Sequence, residues 1–164
     1  MKKALKVILV IVIIAFIAIQ FIRPVINSGE ENVAHQITAN YQVPQEVQQL
    51  LKVSCYDCHS NTTQYPWYSK IQPVAWILED HILEGKDELN FSTFMNYPVW
   101  RQYKKFKEIE KEVKDGEMPL TSYTILHREA ILSEEQKILI QNWAANTMKE
   151  MESENPAESL VKPK

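Results

Sequence analysis

"SCYDCHSN" (residues 54–61) carries the only two cysteines of the chain, Cys55 and Cys58, with His59 directly after the second. Three chemistries use such a trio. A thiol–disulfide exchange site has Cys-x-x-Cys at the start of a helix inside a strand–helix–strand unit, and the sequence before Cys55 reads as helix with no convincing strand nearby. A structural zinc ion needs four ligands, so Cys55, Cys58 and His59 would have to recruit His81 or His127, and adjacent Cys58 and His59 fit one tetrahedral ion poorly. The third reading fits the spacing. Two thiols three positions apart each add to one of the two vinyl groups on a haem edge, and the next residue then lies where its imidazole ligates the iron. Cys55 and Cys58 are therefore expected to hold one covalent haem c, with His59 as the proximal axial ligand.

Upstream of the motif, Val47, Leu50, Leu51 and Val53 give a helical apolar face that starts after Pro44 and runs into the cysteines. Downstream, a second helix is predicted over about 72–84, with Gly85 as its stop, and a third over about 99–114, with Trp100, Tyr103, Phe106, Ile109 and Val113 as its stripe and Gly116 as its stop. The last helix begins at Ser133 in "SEEQ", where Gln136 can reach back to the cap residue, and continues through Trp143 and Met148. The fold class expected is all-α, a helical domain around one haem. Long loops bearing aromatic residues, such as "NTTQYPWYSKI" (61–71), are costly in a small domain unless a large apolar group organises them.

The N-terminal side has a different composition. From Ala4 to Ile22 only Lys6 and Gln20 interrupt the apolar run, and as a helix it would extend roughly 28 Å against a hydrocarbon core of roughly 30 Å. No small-x-small cleavage site ends it, so it reads as an uncleaved anchor over 1–23. Lys2, Lys3 and Lys6 precede the run and Arg23 follows it, which by the positive-inside bias puts the N-terminus in the cytoplasm and the haem domain on the extracytoplasmic side. Residues 24–43 read as a polar tether, 44–151 as the haem-binding domain and 152–164 as a disordered acidic tail.

The 164 residues and their 45% hydrophobic share suit one modest domain with appendages. Setting aside Lys2, Lys3, Lys6 and Arg23 leaves 14 basic residues against 21 acidic ones, a net of −7, which argues against nucleic acid as a partner.

The iron has a second axial position. Met118 in "GEMPL" (116–120) follows a helix in a loop fixed by Gly116 and Pro119, and His81, His127 and Met95 are the other candidates. His81, in "LEDHILEG" (78–85), is the main rival on the apolar side of its helix. The aromatic residues Tyr65, Trp67, Tyr68, Trp76 and Trp100 are candidates to line the porphyrin, with core packing as the plain alternative.

The run "CYDCH" followed by a loop "MP" and a final apolar helix resembles the class I cytochromes c. More closely, the stretch from Val43 to Met148, marked by "CYDCHSN", "YPWY", "GKDELNFS", "GEMP" and "SY" with His127 downstream, resembles the haem-binding domain family of small, membrane-anchored bacterial proteins. That resemblance implies Cys55 and Cys58 as attachment sites, His59 as proximal ligand and Met118 as distal ligand. It also implies a place in the bacterial inner membrane, held by residues 4–22. A closed histidine–methionine site points to one-electron transfer with redox partner proteins in or at the membrane, rather than catalysis. An open distal site would instead make a ligand sensor or a peroxidase-like protein, with His81 or His127 as the acid–base group.

Overall fold

The computed structural model describes residues 2–163. Seven α-helices follow in order: α1 (Lys2–Ile19), α2 (Gln45–Ser54), α3 (Tyr56–His59), α4 (Val74–Glu88), α5 (Val99–Asp115), α6 (Thr121–Thr124) and α7 (Glu134–Glu154), with short 3-10 turns between them. Among the described residues there is no strand, and one isolated antiparallel bridge joins Ser28 to Thr62. The all-α expectation holds.

The membrane anchor does not. No helix among the described residues is long and apolar enough to cross a membrane. Lys2, Lys3 and Lys6 lie inside α1, so its uninterrupted apolar part runs from Val7 to Ile19, about 20 Å at 1.5 Å per residue against the roughly 30 Å required. Residues 20–22, counted in the apolar run, are not helical. Gln20 turns the chain and donates to the carbonyls of Phe16 and Gln72, while the backbone N–H of Gln72 donates back to Gln20 Oε1 at 2.9 Å. The Gln72 side chain, fully buried, donates to the Ile22 carbonyl at 2.8 Å. The single-pass placement over residues 4–22, with a cytoplasmic N-terminus and an extracytoplasmic haem domain in the inner membrane, is therefore corrected.

Residues 24–43 pack on the domain where a free tether was expected. Asn27 takes a hydrogen bond from Lys86 and gives its own to the Ser60 carbonyl and Thr63, and Ile37 is wholly buried in the core. Hydrogen bonds to distant loops order this segment, and they leave no hydrophobic period to read. The tail is likewise shorter than expected, because α7 continues to Glu154 and a turn over Ala157–Leu160 lays Leu160 against the core.

α5 and α7 pair along their length and form the scaffold. Between them Phe106, fully buried, meets Tyr41, Phe94 and Trp143 edge-on at ring-centroid distances of 4.9, 5.3 and 5.5 Å. The Trp143 ring meets α5 at Phe106, and its N–H donates to the Gln42 carbonyl just ahead of α2. The ends of these helices follow the local chemistry. Ser133 and Gln136 form the capping box, and α5 stops at Gly116, whose φ of +76° suits a residue without Cβ.

Phe106→Ala should lower the unfolding free energy by about 3–5 kcal/mol, whereas Ile138→Ala, on the exposed side of α7, should change it by less than about 0.5 kcal/mol. Urea denaturation of the two variants beside the parent measures both.

Candidate functional site

α2 delivers the cysteines. Its last turn closes on Cys55, and α3 follows as one further turn in which the N–H groups of Cys58 and His59 both donate to the Cys55 carbonyl. Residues i, i+3 and i+4 share one side of such a turn, so Cys55, Cys58 and His59 are presented together. Neither cysteine is in a disulfide, and both are half-buried. Burial pushes the Cys55 thiol up to about 12, with Cys58 adding to the shift, and burial followed by the charge of Asp57 pushes Cys58 up to about 11. Exchange chemistry requires the opposite shift, since the thiolate is the nucleophile.

His59 is held from behind by α4. Its Nδ1 lies 2.8 Å from the Gly85 carbonyl and 3.0 Å from the Leu89 carbonyl. Carbonyls only accept, so the ring proton is on Nδ1 and Nε2 keeps its lone pair. Burial lowers the pKa of His59, outweighing the two carbonyl hydrogen bonds, and so favours the neutral imidazole. A neutral ring oriented through Nδ1 is what a metal-ligating histidine needs.

Gly85 makes the contact possible. It was expected to end the second helix, yet α4 runs through it to Glu88. A Cβ at residue 85 would lie 2.8 Å from the Cys58 carbonyl oxygen and 3.1 Å from Cys58 Cβ. The glycine is there for close approach of α4 to the motif, and the helix tolerates it.

Two adjoining cavities of about 290 and 170 Å³ open beside the motif, and Ser54, Cys55, His59, Glu88 and Met118 line both. Together they reach the range of roughly 300–1,000 Å³ usual for small-molecule sites. The larger is walled by Leu51, Leu89, Phe91, Ile109 and Val113. Lys105 also reaches it, only 4% exposed, with its Nζ 2.6 Å from Glu108 and 3.2 Å from Glu88. Partial burial works against the charge of Glu108, but hydrogen bonds from Lys105 and Lys104 outweigh it and hold the carboxyl below its ordinary range.

The rival axial residues separate by position. Met118, whose N–H is tied to the Glu112 carbonyl at the end of α5, lines both cavities with His59. His81 lines the smaller one. His127 lines neither: its Nε2 is paired with the Tyr68 hydroxyl and its ring stacks on Tyr123 at 4.2 Å. Met95 and Met148 pack against the core. None of Tyr65, Trp67, Tyr68, Trp76 and Trp100 lines these two cavities, and Trp67 is largely exposed. The aromatic residues at the cavities are Phe91, with Tyr56 stacked on it at 4.9 Å, and Tyr123. Burial and a hydrogen bond to Asp57 raise the pKa of Tyr123, so its hydroxyl stays a donor. Lys105 and Glu88 were not foreseen, because on sequence alone they are ordinary charges of amphipathic helices.

Two thiols and a neutral imidazole on one turn, facing an apolar cavity with a thioether on its wall, suit haem in donor chemistry and in lining. The class is that of all-helical haem proteins. The chain belongs to the haem-binding domain family, whose model matches residues 14–146, and its cofactor is haem. No curated protein and no solved structure matches the chain.

Gly85→Ala should drive α4 away from the motif and weaken the hold on His59. The expected outcome is a loss of about 1–3 kcal/mol in stability, as for other overpacked sites, with less haem per chain. Thermal unfolding and the ratio of haem absorbance to protein absorbance check the two effects.

Proposed function

We propose that this protein is a monohaem c-type cytochrome that carries one electron at a time between redox partner proteins, and that it is not itself a catalyst. The observation that carries the reading is the state of His59: its proton is fixed on Nδ1 by two carbonyls of α4, so Nε2 is a ready ligand one turn from two thiols. Haem supplies the one-electron couple of its iron.

The chain's part is attachment, ligation and exclusion of water. Cys55 and Cys58 would hold the haem covalently, each S–H adding across one vinyl group to give a thioether without consuming an oxidant. High thiol pKa values support this over disulfide exchange, because buried neutral thiols are poor exchange nucleophiles. His59 serves as the proximal ligand. Met118 serves as the distal ligand, supported by its place on both cavities with His59. A thioether there would favour the reduced iron, and with His59 and Met118 both bound the iron would keep no position for substrate. His81 is then a cavity-wall residue. The apolar lining from Leu51, Phe91, Ile109 and Val113 keeps solvent from the ring.

Haem should remain with the chain through acid–organic extraction in the parent and be lost from the Cys55→Ser/Cys58→Ser double variant. Met118→Ala should abolish the weak far-red sulfur-to-iron absorption of the oxidised protein and let the reduced protein bind carbon monoxide, while His81→Ala should do neither. If His81→Ala opens the site and Met118→Ala leaves the spectrum unchanged, the distal assignment passes to His81.

A further inference from the structure

Asp57, which directly precedes Cys58 and lines the smaller cavity with it, makes a set of contacts of its own. Its Oδ1 accepts the backbone N–H of Gln64 at 3.0 Å, its own carbonyl accepts the Thr63 hydroxyl at 2.6 Å, and its Oδ2 accepts the Tyr123 hydroxyl at 2.8 Å. The Gln64 bond orients the carboxylate, and the Thr63 bond holds the backbone of the cysteine turn. The third crosses to the other side of the site, 66 residues along the chain.

Tyr123 is placed to transmit that bond to Met118. It lies in the single turn α6, whose N–H groups at Tyr123 and Thr124 both donate to the Leu120 carbonyl, and only Pro119 separates Leu120 from Met118. Met118, Pro119, Leu120 and Tyr123 line the smaller cavity together with Cys58 and His59. The ring of Tyr123 is held from behind, stacked on His127 with an interplanar angle of 8°, and His127 is held in turn by the Tyr68 hydroxyl at 2.5 Å. On its other flank the Met118 loop has Gly116 and Glu117 exposed and is tied to the end of α5 by backbone bonds from Gly116, Glu117 and Met118.

We propose that the Asp57–Tyr123 hydrogen bond is a latch that keeps the Met118 loop closed on the haem cavity, making Tyr123 a positioning residue for the distal ligand and a barrier to exogenous ligands. This rests on the assignment of Met118 as distal ligand. A small ligand that competes with Met118 binds only the fraction of molecules whose loop is open, so its apparent affinity reports the strength of the latch. A hydrogen bond to a carboxylate is among the stronger ones, and its loss should raise the open fraction about tenfold or more.

The test uses the full haem-loaded chain and carbon monoxide on the reduced protein, with four variants beside the parent. Tyr123→Phe should raise the apparent affinity about tenfold and weaken the far-red sulfur band of the oxidised protein. Asp57→Asn, whose amide oxygen can keep the Gln64 contact while its NH2 faces Tyr123, should act in the same direction. The double variant should be no more open than Tyr123→Phe alone, a non-additivity that general loosening of the fold would not produce. Parent-like affinity in Tyr123→Phe, alongside tight binding in Met118→Ala, overturns the latch and leaves the ligand assignment standing. Parent-like affinity in Met118→Ala overturns the assignment and the latch with it.

Discussion

The site depends on one close contact, that of the His59 ring with the carbonyls of Gly85 and Leu89. A histidine at the end of a single exposed turn would rotate freely and share its proton between two nitrogens. Here α4 approaches until its backbone touches Cys58, which is possible because residue 85 has no side chain. The same contact settles the tautomer, the ring orientation and the spacing of α3 from α4. The cavity exists because these two elements are locked at that distance while α5 supplies the far wall.

The far wall is built from both kinds of residue. Ile109 and Val113 give the apolar surface a porphyrin requires, and Lys105 is drawn in among them with two carboxylates for partners. A buried ammonium is tolerated only when paired, and the two glutamates meet that need while remaining partly exposed themselves. The α5–α7 pair, sealed by Phe106 and Trp143, gives this wall its rigidity. Beyond Gly116 the Met118 loop closes the site and is joined to the cysteine turn through Tyr123.

Sequence reading succeeded where the signal was local. The Ser133–Gln136 capping box, the stop at Gly116 and the apolar stripe of α5 are short-range chemistry, and each falls where the residues place it. It failed where a distant partner decides. The run Ala4–Ile22 has the composition of a membrane span, but Lys2, Lys3 and Lys6 fall inside α1 and the run's last residues are bound to Gln72, which composition cannot express. Gly85 looks like a helix stop because helix stops are the commoner use of glycine. His127 stands among the axial candidates until Tyr68 and Tyr123 are placed around it.

What the sequence by itself determined was the chemistry and its grouping: two thiols and an imidazole fixed on one turn by a spacing of three and four residues, in an all-helical chain of the haem-binding domain family. That much is covalent order and helical geometry, which operate within a few residues. The tertiary structure decided which nitrogen of His59 is free, which methionine shares its cavity, and that residues 20–43 belong to the domain. Those outcomes hang on hydrogen bonds and contacts between residues 26 to 66 positions apart, and the pairing of distant segments is settled only when the whole core packs.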